Sequence, residues 1–238
     1  MKNTKQAVAA LMLMAAVVCA AGCRSSKIDG SFMNHDYVDL GLPSGTLWAT
    51  CNVGANVPEE YGDYFAWGET RPKSEYSWEN YKYCKGEKQY TKYCCDSDFG
   101  FNGFTDNLTV LQPEDDAATV NWGNGWCMPT DDQWKELLEN TRSKWAKRKG
   151  IVGRLFIASN GKSLFLPAAG THSIGSNHHV AIILAGERGF YLSRSLVTEI
   201  TSEFKNAARV FDIRVDRKNR IYFDRYRGNS VRPVRSAN

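Results

Sequence analysis

The stretch Leu155-Phe156-Ile157-Ala158-Ser159-Asn160-Gly161-Lys162-Ser163-Leu164-Phe165-Leu166 decides the fold class. Two apolar runs flank Asn160-Gly161, a strong short-range hairpin signal, so the segment predicts a pair of antiparallel strands. The same reading extends in both directions. Downstream, Val180 to Leu184 and Gly189 to Leu192 flank a turn at Gly186. Phe211, Ile213 and Val215 alternate with Asp212 and Arg214, the period of a half-buried strand. After a turn at Arg217 to Arg220, Ile221 and Phe223 alternate with Tyr222 and Asp224. Ser230 to Val234 reads as a last short strand. Upstream, Tyr37 to Leu40 and Thr46 to Thr50 read as strands around the turn Pro43-Ser44-Gly45.

One helix interrupts this pattern. Thr130 can cap it and Gln133, three residues on, completes a capping box. Asp131 and Asp132 fall in the first turn, where negative charge suits the helix dipole. Trp134, Leu137 and Leu138 share one face, and the exit lies over Asn140 to Ser143. Between Trp78 and Thr119 periodicity fades into a region rich in Tyr, Gly, Asp and Asn. This predicts a folded long-loop region held by aromatic packing and a disulfide. The fold class is α+β in one domain.

Composition agrees. Of 238 residues, 42% are hydrophobic and 24% charged, which excludes a fibrous or disordered chain. The net charge of +4 is too small to argue for nucleic acid as partner of the whole chain. Aromatics at 12%, with seven Trp, fit a β-rich core or an adhesive surface.

Residues 1–22 read as a targeting segment. Lys2 and Lys5 precede an uncharged apolar run from Ala7 to Ala21, short for a membrane span and suited to a signal peptide. It ends Ala20-Ala21-Gly22-Cys23, which resembles a bacterial lipobox, so Cys23 is the expected lipidation site. Acyl chains would hold an otherwise soluble domain at a membrane surface. The expected organisation is signal peptide 1–22, tether 23–35 and folded domain 36–238. The expected location is the cell envelope, as an outer-membrane lipoprotein.

Past Cys23 five cysteines remain, Cys51, Cys84, Cys94, Cys95 and Cys127. An odd number in an oxidising compartment leaves a free thiol. Cys84 and Cys94 flank a short polar loop and are the expected disulfide. Cys51 and Cys127 read as buried small apolar groups. Spacing argues against a zinc site.

Several motifs stand in fixed order: Tyr37-Val38-Asp39-Leu40-Gly41-Leu42-Pro43-Ser44-Gly45-Thr46-Leu47-Trp48-Ala49-Thr50-Cys51-Asn52-Val53-Gly54-Ala55, Tyr64-Phe65-Ala66-Trp67-Gly68-Glu69-Thr70, Pro113-Glu114-Asp115-Asp116-Ala117-Ala118, Met128-Pro129-Thr130, Leu166-Pro167-Ala168-Ala169-Gly170 and Ser230-Val231-Arg232-Pro233-Val234. Together they resemble the Fibrobacter major paralogous domain, common in Bacteroidetes lipoproteins. Met128-Pro129-Thr130 with Trp134 and Arg232 also looks like the formylglycine-generating branch of the C-type-lectin-like fold. The resemblance implies a twisted antiparallel sheet with long loops and one or two helices. It further implies a kinship with targets of diversity-generating retroelements, whose C-terminal strands and loops vary to change ligand. Here residues 208–229 carry many Arg where such targets carry Tyr, Asn, Ser and Asp.

Catalytic constellations are not legible. A copper-binding cysteine pair of the formylglycine-generating type would need C-terminal cysteines that are lacking here. His178-His179 would point to opposite faces of a strand. Asp115 and Asp116 could ligate calcium, but the favoured reading is that they cap a turn or helix start before Ala117-Ala118. No metal or cofactor is expected.

The segment from Lys205 to Asn238 holds ten Lys/Arg against three Asp. Pattern alone leaves two readings open, a solvated hairpin face and a ligand platform. The resemblance selects the platform, with Arg209, Asp212, Arg214, Asp216, Arg220, Tyr222, Asp224 and Tyr226 as contacts for a glycan or protein ligand. Nucleic acid is not an expected partner. The expectation is a lipid-anchored binding protein and not an enzyme; the alternatives are a degenerate formylglycine-generating-type enzyme or a structural envelope or fimbrial subunit.

Overall fold

The structure is a computed structural model, and it describes residues 28–86, 88–174, 180–198 and 206–237. The signal segment, Cys23, His178 and His179 lie outside the described residues. Three sheets carry the architecture. One runs in the order β1 (Gly30–Phe32), β2 (His35–Asp39), β3 (Leu47–Ala49), β16 (Val234–Arg235). The central sheet runs β14 (Lys218–Phe223), β13 (Ala208–Arg214), β12 (Arg188–Leu196), β15 (Asn229–Ser230), β4 (Tyr64–Phe65). The third is the meander β7 (Thr141–Arg148), β8 (Ile151–Ala158), β9 (Ser163–Pro167). Two short hairpins, β5 (Cys84–Lys85) with β6 (Gln89–Tyr90) and β10 (Thr171–Ile174) with β11 (Val180–Ile183), complete the strands. Among the described residues the named strands pair antiparallel except β12 with β15. Among the described residues the α-helices are α1 (Ala117–Trp122) and α2 (Asp131–Asn140), beside three short 3-10 turns in the loop region before α1. The protein is therefore α+β and mostly antiparallel. Among the described residues no helix is long and apolar enough to cross a membrane.

Local chemistry explains the elements read from sequence. The Thr130–Gln133 capping box is formed in both directions, and Trp134 and Leu137 are buried on the inner face of α2. The Asn160-Gly161 hairpin joins β8 to β9, with Gly161 in the left-handed region (φ 79°) and its N–H donated to Ala158 O. Strands β2 and β3 pair around the Pro43-Ser44-Gly45 turn.

Three expectations are corrected. Gly30–Phe32, expected within the tether, forms β1 and pairs with β2. Phe32 supplies the reason: Trp126 donates its indole N–H to the Phe32 carbonyl, and the Arg235 guanidinium lies 4.0 Å over the Phe32 ring. The strands flanking Gly186 do not pair with each other; β11 pairs with β10 and β12 with β13. The last strand is broken into β15 and β16. Between them Arg232 turns fully inward to donate to the Ala49 and Thr50 carbonyls and to Asn52 Oδ1, and Pro233 has no N–H to give a ladder.

The central sheet is buried on both faces. Alternation along β12 and β13 sends Tyr191, Phe211 and Ile213 one way, into a cluster with Trp48, Trp134, Leu137, Phe156 and Leu164. It sends Phe190, Leu192, Ala208 and Val210 the other way, into a cluster with Trp67, Tyr81, Tyr83, Tyr93, Leu111 and Trp126. The loop region after Trp78 is thus a second core layer. The five described cysteines are free thiols, so the expected Cys84–Cys94 bond is not formed here. The Cys94 thiol donates instead to the Asp96 carbonyl, 3.1 Å away.

Candidate functional site

The C-terminal hairpin does not form the single platform read from its alternation. Ile213 pairs with Lys218, so odd-numbered residues of β13 oppose even-numbered residues of β14. Tyr222 therefore shares a face with Arg209 and Phe211, while Asp212 and Arg214 share the opposite face with Ile221 and Phe223. Both faces are also occupied. Asp212 is buried and held by two hydrogen bonds from Arg188, at 3.1 and 2.7 Å. Arg209 is buried, with its guanidinium at Asp131 of α2, which also receives Arg220. Asp224 pairs with Arg227, and Tyr226 packs against Trp78. Asp216 is exposed beside Arg214, and Val215, expected inside, is 67% exposed at the hairpin tip. Of the eight residues, Asp216, Arg220 and Tyr222 are exposed; Arg220 and Tyr222 share one face of β14, and Asp216 lies at the hairpin tip. Ile221 and Phe223 do pack inward, Phe223 stacking on Phe190.

Asp115 and Asp116 serve the fold. Asp116 is fully buried; it caps α1 by accepting from the Ala118 and Thr119 amides and also accepts from the Met128 amide. Burial raises its carboxyl above the usual range, against those amide bonds and the nearby Arg194 charge. Asp115 gathers Lys82, Lys92, Tyr83 and Tyr93. The helix-cap reading of this pair thus describes Asp116, and Asp115 clamps the long-loop layer.

A cleft of roughly 360 Å³ opens where α1, β12 and β16 meet, within the size range of small-ligand sites. Thr119, Asn124, Trp126, Cys127, Arg194 and Arg235 line it. The segment after α1 is fixed by a backbone pair between Cys127 and Val234 and by the Thr119 hydroxyl on the Trp126 carbonyl. Arg194 leaves β12 with its Nη2 on the Leu111 carbonyl at 2.7 Å and its Nε 3.7 Å from Asp116. Arg235 rests on Phe32 and Tyr37. The Nε–H groups of both arginines are buried and make no hydrogen bond. Asp116 offsets the Arg194 charge, and Arg235 adds a second cation to the lining of the cleft. Burial pushes the Cys127 thiol up, which keeps it a neutral thiol at ordinary pH. Sequence reading missed Arg194 and Arg235; the available signal was Arg235 directly after the Arg232-Pro233-Val234 motif.

No family model, curated protein or solved structure matches this chain.

Proposed function

We propose that this is an exported, lipid-anchored binding protein with a C-type-lectin-like fold, akin to the Fibrobacter major paralogous domain proteins. It binds through the Arg194–Arg235 cleft, to a glycan or peptide carrying a carboxylate. The observation that carries this reading is the pair of arginines, Arg194 and Arg235, that line a ligand-sized cleft. A carboxylate accepts such donors in the fork geometry that arginine presents. Two permanently charged groups and a neutral thiol hold a ligand but supply nothing that titrates near neutrality, so binding and not proton transfer is the proposed role. The fold assignment is supported by the motif order, by two short helices set against antiparallel sheets, and by the packed long-loop layer.

The test is a glycan and peptide screen of the parent, comparing acidic ligands with their amide or neutral counterparts. Arg235→Ala is expected to weaken an acidic hit by about 1–3 kcal/mol, roughly five- to 150-fold, while Arg214→Ala leaves it unchanged. Equal binding of acidic and neutral counterparts, or loss with Arg214→Ala alone, counts against the cleft.

The anchor has its own test. Cys23→Ser is expected to abolish incorporation of a palmitate analogue and move the protein from the membrane to the soluble fraction. Unchanged labelling would remove the lipoprotein reading.

A further inference from the structure

We propose that β7 is the surface the protein turns toward an anionic membrane. This rests on the lipid anchor at Cys23 and is independent of the cleft. Strand β7 is the outer strand of its sheet, and its sequence Thr141-Arg142-Ser143-Lys144-Trp145-Ala146-Lys147-Arg148 contains no acid. Arg142, Lys144 and Lys147 are exposed, as is Lys149 at the turn that follows. Within this run only Arg148 and Lys149 reach a carboxylate among the described residues, that of Glu59 at 3.3 and 3.4 Å. Arg142 and Lys144 stand opposite half-buried Ile157 and Leu155 on the neighbouring strand, so cationic and apolar groups share one face. This combination suits a headgroup layer: charge for lipid phosphates, aliphatic stems for the interface.

The path of the chain brings this face to the membrane. Lys162, in the β8–β9 turn, holds Asp29 at 2.7 Å, which pins the point where the chain enters the domain. Ser163 pairs with Ile157 and Ile157 with Arg142, so the basic strand starts two strand spacings away, about 10 Å. Cys23 is six residues before Asp29 and spans at most about 20 Å when extended. An acyl group on Cys23 therefore keeps the entry point, and β7 beside it, close to the bilayer. Screening confines such attraction to about 8 Å at physiological salt, so proximity decides which basic surface is used. The occupant is a phospholipid surface and not a soluble polyanion, because only the membrane is brought to this face by the chain itself.

The experiment uses the full lipidated protein in vesicles of phosphatidylcholine alone or mixed with phosphatidylglycerol. A membrane-impermeant amine reagent reports the accessibility of Lys144 by mass mapping, with Lys147, on the opposite face of the strand, and exposed Lys85 as internal references. Labelling of Lys144 is expected to fall several-fold on the anionic vesicles and to recover in high salt. The Arg142→Glu variant is expected to abolish that protection at Lys144. Equal labelling on both vesicles, or protection that persists in the variant, overturns the proposal. Flotation in high salt separates the two readings. A protein that floats with either vesicle but labels equally loses only the orientation; one that floats with neither loses the anchor and the orientation together.

Discussion

Replacing Arg225 with alanine is expected to leave the chain largely unfolded at temperatures where Arg214→Ala still melts with the parent. Both arginines lie in the basic C-terminal segment, yet their surroundings differ. Arg225 is fully buried and donates to the carbonyls of Asn206, Lys92 and Tyr93. Its guanidinium lies 3.9 Å from the centre of the Tyr90 ring and 4.9 Å from that of Trp67. Truncation strips a charged donor from three carbonyls and opens a void between two rings. The expected cost is about 3–5 kcal/mol, a large fraction of the stability of an ordinary domain. Arg214 is half-buried and pairs with exposed Asp216, an interaction worth little in water. Urea and thermal melts of the two variants decide the matter. An Arg225→Ala chain that melts like the parent would mean that the loop layer does not depend on this side chain.

The second large effect concerns Asp115 and acid. Burial acts to raise its carboxyl, but hydrogen bonds from Lys92, Tyr83, Tyr93 and Lys82 outweigh it and hold the group at about 2, below its ordinary 3.8. A depressed folded-state value stabilises the native chain above the unfolded value, and the contribution is lost as pH falls through the folded one. About 2 kcal/mol is thus present at pH 7 and disappears between roughly pH 4 and pH 2. Asp115→Asn is expected to lose about 2–3 kcal/mol at neutral pH, since it leaves two ammonium groups facing a neutral amide. It should also flatten the acid limb of the stability curve. Denaturant melts from pH 7 to pH 2 read both, and parallel acid limbs for parent and variant would overturn the assignment.

What could be read from the residues divides along physical lines. Helix α2 was legible because its cap, charges and apolar face are local. The Asn160-Gly161 hairpin was legible because the turn and both apolar runs adjoin. Strand β7 was not: its eight residues alternate cations with Ser, Trp and Ala, so no apolar period marks it, and Asn140 to Ser143 read as the end of a helix. The one-sided reading of β13 failed for a longer-range reason. Asp212 inside an apolar alternation predicts an exposed face, and only the distant partner Arg188 makes its burial tolerable. The hairpin register then separates Arg214 from Tyr222, which depends on the turn between Ile213 and Lys218 and not on either strand. Arg225 was read as surface charge because its carbonyl partners Lys92 and Tyr93 lie far upstream in sequence. The motif order across residues 37–234 points to a fold, but it does not by itself reveal the cleft, which needs residues from α1, β12 and β16 brought together.

The pairing of β16 with β3 and of β15 with β4 has a consequence for biogenesis. A chain threaded through a translocation pore with its N-terminus leading would deliver β1 to β4 first, and neither of the sheets that contain them could close until the last few residues emerged. The nascent protein would stay open for the whole of transit, with Trp48 and Trp67 waiting for partners nearly at the other end of the chain. On the proposed export route, such late closure would leave the polypeptide narrow enough to pass. It also makes loss of even a short C-terminal stretch a defect of assembly as a whole.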